Sequence, residues 1–250
     1  MDLNNKHIWL MGASEGIGRA LAQELDKRGA HVALSARSEE RLASLRDELS
    51  ENNHLVLPAD VTDQGTLTES FAAIDKAWNA CDVAIFNVGY YEPMHARDMK
   101  LEDCLRTIDI NLRSIYNWLD IIVPYFRARK RGRIVIVGSV AGYRGLPGSL
   151  AYGPTKAALI NLCEALYAEL ADDGIEVQMV SPGFVKTRLT DKNDFSMPMR
   201  ISAEKAGALF ADGLESDRFE IHFPKLFTYS MKLLRALPTW AYLPLAKRIS

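Results

Sequence analysis

In the stretch "SLAYGPTKAALINL" (149–162), Tyr152 and Lys156 stand four residues apart at the start of an apolar run. If the chain is helical there, both side chains lie on one face. Pro154 is tolerated only in a first helical turn, where its missing N–H is not needed, so the helix is expected to begin near Ala151. A phenol beside a fixed ammonium has a lowered pKa, because the cation favours the phenolate. Such a pair could move a proton near neutral pH. An ordinary surface Tyr–Lys pair has the same spacing, so the rest of the chain must decide.

"WLMGASEGIGRALAQEL" supplies a second constellation. Gly12, Gly16 and Gly18 fall between an apolar run and a helical pattern, with spacing G-x3-G-x-G. Glycines in a strand–turn–helix context let backbone N–H groups approach a phosphate at the helix N-terminus. About 20 residues beyond such a loop, an acidic residue would bind the ribose 2′-OH of NAD. Here Ser35 and Ala36 carry no carboxylate and Arg37 follows. A planar, always charged guanidinium suits a 2′-phosphate, so NADP is expected over NAD. Asp60 follows the third apolar run, where it could accept from an adenine amino group or simply form a turn. "NVG" (87–89) offers a small-residue turn after the fourth run.

Positioning these groups requires a layered α/β architecture. Apolar runs at 7–11, 31–35, 54–58, 82–86, 133–138 and 176–180 read as buried strands, with a last one at 219–223. Helical patterns lie between them, including a long one across 101–130, another from Ala151 to Asp172, and 202–214 with Ser202 as N-cap. The alternation predicts one domain over residues 1–250, a parallel sheet with helices on both faces. Ligands of such sheets bind outside the strand carboxyl ends, which gathers Gly12, Asn87, Ser139 and Tyr152 on one edge. The 250 residues are 48% hydrophobic and 25% charged, ordinary for a globular chain. A net charge of −2 gives no basic field for nucleic acid. Cys81, Cys104 and Cys163 match no metal or disulfide spacing, which suggests reduced cytoplasmic thiols.

Taken together, Gly12-x3-Gly16-x-Gly18, Asp60, Asn87–Gly89, Asn111, Ser139, Tyr152-x3-Lys156 and Pro182–Gly183 strongly resemble the short-chain dehydrogenase/reductase superfamily over residues 7 to about 187. The resemblance implies a Rossmann-like doubly wound sheet and an NADP(H)-dependent oxidoreductase. Its substrate would be a small carbonyl or secondary alcohol, of apolar character. It makes Tyr152 the general acid/base and gives Lys156 the ribose hydroxyls and the lowering of the phenol pKa. Ser139 would orient the substrate oxygen, and Asn111 would hold a water linking Lys156 to solvent. The cofactor would lie along Gly12, Ser14, Gly16, Ile17, Gly18, Arg37, Asp60, Val61, Asn87, Gly89, Tyr152, Lys156, Pro182, Gly183, Val185 and Thr187. No metal is implied. Two positions depart from the family pattern: Met11 stands where threonine is usual, and Phe86 precedes Asn87 where two asparagines are usual. An apolar Met11–Phe86 contact is expected to replace a polar one.

The resemblance makes 184–215 a substrate lid region. Within it, Phe195, Met197, Pro198 and Met199 could form an apolar, adaptable cover. The extension 225–250 has no acidic residue and carries five basic ones among many apolar side chains. Two short helices broken at Pro238 are expected there. The extension can lie on an anionic membrane or pack over the pocket or a second subunit, and packing on protein is the favoured expectation. The family pattern suggests a homodimer or homotetramer through the helices at 101–130 and 151–172. The alternative function is a catalytically silent NADP-binding regulator or membrane-peripheral protein.

Overall fold

Strand β1 (His7–Met11) sets the plan of the molecule. Ile8 and Leu10 enter one core, while Trp9 and Met11 enter another on the opposite face of the sheet. A strand with both faces covered must be apolar at successive positions, which explains the unbroken run. The computed structural model describes residues 1–50, 53–192 and 197–248.

The other strands are β2 (His31–Ala36), β3 (Leu55–Pro58), β4 (Val83–Phe86), β5 (Gly132–Val137), β6 (Ile175–Pro182) and β7 (Glu220–Phe223). They form a seven-stranded sheet in the order β3-β2-β1-β4-β5-β6-β7. Every neighbouring pair is parallel. The chain therefore winds outward in one direction from β1 to β3, then crosses to β4 and winds the other way. The crevice at that reversal, between the ends of β1 and β4, is where ligands of open α/β sheets bind.

One face is covered by α1 (Gly16–Lys27), α2 (Glu39–Glu48) and α7 (Ala203–Leu214), whose Leu21, Leu42 and Phe210 are fully buried. On the other face lie α3 (Gln64–Trp78), α4 (Leu101–Ile108), α5 (Ser114–Arg129) and α6 (Tyr152–Leu170). Trp118, Ile122 and Leu159 anchor that side. The long helix expected across 101–130 is present, but a π-helical turn at Asp109–Arg113 separates α4 from α5. Ser202 caps α7 as expected, accepting from the Lys205 N–H at 3.2 Å. The last two helices, α8 (Lys225–Ala236) and α9 (Thr239–Arg248), flank Pro238.

Within residues 184–215, α7 packs closely on α1, with Gly207 against the Ala20 backbone. It is part of the sheet's cover, and before it Phe184, Val185, Thr187, Arg188, Leu189 and Thr190 border open space at the sheet's carboxyl edge.

Candidate functional site

The first turn after β1 is built around Asn87. Its backbone N–H donates to the Met11 carbonyl at 2.9 Å, and its side-chain amide donates to the Gly12 carbonyl at 3.0 Å. Gly12 has φ +87°, and a Cβ there would overlap the Asn87 carbonyl. A Cβ on Gly18 would in turn overlap the Gly12 carbonyl. The turn closes this tightly only without side chains. Gly16 opens α1, so the first N–H groups of that helix face the crevice. Below the turn, Met11 and Phe86 are register partners, fully buried in the same core. The expected apolar replacement is therefore present, and the hydrogen bonds of the turn pass through Asn87 instead.

A cleft of about 950 Å³ runs along the carboxyl edge of the sheet. Of the residues expected at the site, all but Gly18 and Asn111 line it. At one end stand Arg37 and Asp60. Arg37 is exposed and makes no ion pair among the described residues. The Asp60 carboxylate accepts from the Thr62 N–H at 2.9 Å and its hydroxyl at 2.7 Å. Burial would raise its pKa, but these bonds and the Arg37 charge hold it below the usual value.

Toward the middle, Ser139 ends the β5 turn and its hydroxyl accepts from the Ala141 N–H at 3.1 Å. The same hydroxyl stands beside Tyr152 on the cleft wall, near enough to act on the phenol's pKa. Tyr152 is the first residue of α6, as Pro154 in the first turn implied. Lys156, one turn further, is 2% exposed and donates to the Val137 carbonyl at 3.0 Å. Its Nζ lies 5.6 Å from the centre of the Tyr152 ring. That arrangement corrects the expected effect on the phenol. Burial pushes the Tyr152 pKa up to about 12, opposed by the neighbouring Ser139 hydroxyl, and no contribution from Lys156 is resolved. Burial instead lowers Lys156 to about 8. The ammonium lies over the ring, and desolvation outweighs its attraction for a phenolate.

Asn111 is fully buried in the π-helical turn, behind the cleft wall. Both protons of its amide are engaged, one with the Tyr90 carbonyl at 2.8 Å and one with the Thr155 hydroxyl at 3.2 Å. Its side-chain oxygen accepts from the Tyr90 N–H at 2.6 Å. The side chain thus clamps the irregular segment following β4 to α6. Gly18 lies beneath the turn and lets α1 approach it closely.

Several lining residues went unread in the sequence. Tyr91 packs edge-on against Tyr152, with ring centres 5.0 Å apart. Arg41, four residues beyond Arg37 in the first turns of α2, faces the same end of the cleft. The Glu15 carboxylate lies 2.8 Å from Arg41 and 3.2 Å from Arg188. The helical spacing from Arg37 could have suggested Arg41, but nothing in the sequence brings Glu15 to it. Lys192 reaches across from the 184–201 segment to the Tyr91 carbonyl at 3.0 Å and the Glu92 carboxylate at 2.5 Å.

The apolar cover also differs from expectation. Met197, Pro198 and Met199 do not line the cleft, and Met199 is 49% exposed. Phe195 lies outside the described residues. The apolar wall comes from Phe184 and Leu189, and from Phe227, Met231 and Leu234 on α8. The neck of the segment is closed by backbone bonds from Lys186 to Ile201 at 2.8 Å and from Ile201 to Phe184 at 3.0 Å.

A glycine turn at a helix start, on the switch point of a parallel sheet, leads to a serine–tyrosine pair with a buried lysine one turn away. The family profile of short chain dehydrogenases matches residues 6–196. The chain belongs to the short-chain dehydrogenase/reductase family of oxidoreductases. It is 33% identical to an uncharacterized oxidoreductase of Myxococcus xanthus over 250 residues, 99% of both chains. It is 34% identical to the 3-oxoacyl-[acyl-carrier-protein] reductase FabG of Rickettsia bellii over 77% of this chain and 78% of that one. Among solved structures, ElxO with NADP bound shares 26% identity at a TM-score of 0.78, covering 89% of this chain and 99% of the other. A short-chain dehydrogenase/reductase from Burkholderia phymatum in complex with NAD superposes with a TM-score of 0.84 at 20% identity, covering 93% and 94%. The first of these structures holds NADP and the second NAD.

Proposed function

We propose that this protein is an NADP(H)-dependent reductase of apolar carbonyl compounds, with Tyr152 as general acid. The observation that carries this reading is that Tyr152, Ser139 and Lys156 share one cleft with the glycine turn. The residues present fit a dinucleotide. Lys156 has ammonium protons beyond the one given to Val137, which suits ribose hydroxyls. A Cβ on Gly89 would lie 3.7 Å from that ammonium, so its absence keeps the approach open. Pro182, Gly183, Val185 and Thr187 border the same stretch of cleft, with Ser14, Ile17 and Val61 nearer the phosphate and adenine end.

When bound, the cofactor supplies the hydride; the chain supplies position and a proton. Tyr152, with a pKa near 12, is protonated at neutral pH and can donate to a carbonyl oxygen as charge develops there. Ser139 aligns that oxygen with the phenol. The wall of Phe184, Phe227, Met231 and Leu234 suits an alkyl or acyl chain on the substrate. A 3-oxoacyl thioester, as the name of the Rickettsia relative suggests, is one member of that class.

NADP is preferred because Arg37 stands unpaired where a carboxylate would otherwise select NAD. Exposed Leu101, Leu105, Ile108, Tyr116 and Tyr167 on α4, α5 and α6 support assembly into a homodimer or homotetramer through those helices. The three free thiols suit a reducing cytoplasm. An NADPH-consumption screen over aldehydes, ketones and 3-oxoacyl thioesters tests the reading, with Tyr152→Phe as control. Turnover on none of these classes, with NADPH still bound, would favour a silent binding protein.

A further inference from the structure

The extension was expected either to cover the pocket or to lie on a membrane, and its two faces separate those roles. Helix α8 turns Phe227, Met231 and Leu234 toward the cleft. Its opposite face carries Leu226 at 70%, Tyr229 at 58% and Leu233 at 69% exposure, spaced i, i+3, i+7. Helix α9 repeats the spacing with Trp240 at 79% exposure, Leu243 at 52% and the exposed Lys247. Each helix is held down on the other side. The Tyr242 hydroxyl donates to the Gly145 carbonyl at 2.6 Å, and the Arg144 guanidinium, 4.7 Å over the Tyr242 ring, donates to the Leu237 carbonyl. Glu220 pairs with Lys232 at 2.6 Å and accepts from the hydroxyls of Ser181 and Tyr143. The exposed stripes are thus displayed on an anchored platform. Large apolar side chains exposed at helical spacing need a partner.

Charge identifies that partner. From Ile221 onward the chain has Lys225, Lys232, Arg235, Lys247 and Arg248 and no acidic residue. Lys232 is neutralised by Glu220, and Arg235 lies 3.7 Å from Glu164. Lys225, Lys247 and Arg248 make no ion pair among the described residues. A second copy docked here across a two-fold axis would set basic residues against basic residues. An anionic surface with an apolar interior satisfies both features, and tryptophan, leucine and lysine are the residues that settle at such an interface.

We propose that the α8–α9 pair docks this protein on an anionic lipid bilayer, with Leu226, Tyr229, Leu233, Trp240 and Leu243 entering the headgroup layer and Lys225, Lys247 and Arg248 meeting lipid phosphates. In that pose α8 separates the bilayer from the cleft. The docking does not depend on which reaction the cleft performs. No helix among the described residues is long and apolar enough to cross a membrane, so the attachment is peripheral.

Co-sedimentation of the full-length protein with phosphatidylcholine vesicles, with and without phosphatidylglycerol, tests this. Binding is expected only with phosphatidylglycerol and is expected to fall as salt rises. Trp240→Ser/Leu243→Ser should lower partition at least about tenfold, since each large apolar side chain contributes more than that factor when buried. Lys247→Glu/Arg248→Glu should lower it by about fivefold or more per charge. Both double variants should keep the wild-type melting temperature and NADPH affinity, because none of the four residues lines the cleft. Absence of binding to phosphatidylglycerol vesicles overturns the proposal, as does binding that survives both double variants. An oligomer seen by light scattering in the wild type and lost in Trp240→Ser/Leu243→Ser would assign the face to a second copy and overturn it as well. Should the apolar variant fail to fold, the charge variant alone decides.

Discussion

The Lys156 ammonium, almost wholly buried, is held by the Val137 carbonyl 3.0 Å away and by no carboxylate among the described residues. Burial lowers its pKa to about 8, against about 10.4 for an unfolded lysine. Between these values the unfolded chain binds more protons than the folded one, so this group makes stability rise with pH through that window. Cofactor binding should move the other way. Above pH about 8 the ammonium is lost and with it a charged donor to the ribose. NADPH affinity, followed by fluorescence titration, is expected to weaken through this range in the wild type. In Lys156→Met it should be weak and flat with pH. A wild-type affinity that does not change across pH 8 would show that Lys156 does not hold the cofactor through its charge.

Tyr152→Phe removes the transferable proton and keeps the ring that packs on Tyr91. Single-turnover hydride transfer should fall by roughly 10²–10⁴-fold, the range of general acid catalysis, with NADPH binding little changed. Ser139→Ala should also slow transfer and raise the phenol pKa further, because the Ser139 hydroxyl is the group that holds it down. A Phe variant with near-normal turnover would remove Tyr152 from the role of acid.

At the adenine end, Arg37→Ala should erase most of the preference for NADP over NAD. A hydrogen-bonded charged contact is worth roughly 1.5–3 kcal/mol, about tenfold to a hundredfold in affinity. Glu15 has the opposite sign of effect. Its carboxylate already occupies Arg41 and Arg188, so Glu15→Gln should release both and tighten NADP(H) about two- to fivefold, in keeping with an exposed ion pair. Calorimetric titration of both cofactors into both variants is the measurement. Equal wild-type affinity for NAD and NADP would overturn this account of the site.

His222 makes the anchoring of α8 sensitive to acid. Its Nδ1 lies 2.6 Å from the Thr228 hydroxyl, and burial with the nearby Lys232 and Lys225 lowers its pKa to about 4. Against an unfolded value of 6.5, the unfolded chain again binds more protons between the two. Stability from this group is complete above pH 6.5 and is lost as pH falls toward 4. His222→Gln should flatten the drop in melting temperature between those limits, whereas an unchanged drop would place the sensitivity elsewhere.

Removing residues 225–250 takes Met231 and Tyr242 out of the packed structure, along with the α8 wall of the cleft. Each fully buried large side chain is worth about 1.5–3 kcal/mol. The truncated protein should melt lower and lose activity on long-chain carbonyls before short ones. Normal turnover of long-chain substrates by a stable truncated protein would show that α8 does not form the pocket wall.

Much of this protein is legible in its residue order. Near-continuous apolar runs could belong only to strands buried on both faces, and the helical patterns between them required a parallel sheet. Glycines at 12, 16 and 18, Ser139, and the tyrosine and lysine on one helical turn each mark where a strand or helix must end. Those ends meet on one edge because parallel strands share a direction. Pro154 set the start of α6, since a residue without an N–H fits only in the first turn.

What tertiary structure decided are the relations between segments distant in sequence. Spacing alone brought Lys156 near Tyr152, but burial depth determined that desolvation, not the cation, governs the phenol. Asn111 carries an amide that could face water or protein, and the π-helical turn spends it on Tyr90 and Thr155. Glu15 reaches Arg41 and Arg188 only because α1, α2 and the 184–201 segment converge at one end of the cleft. The tail's composition allowed either protein or lipid beneath it. Its fold divides the residues: Met231 and Tyr242 point inward while Leu233 and Trp240 face outward, because a helix laid on a surface can bury only one side.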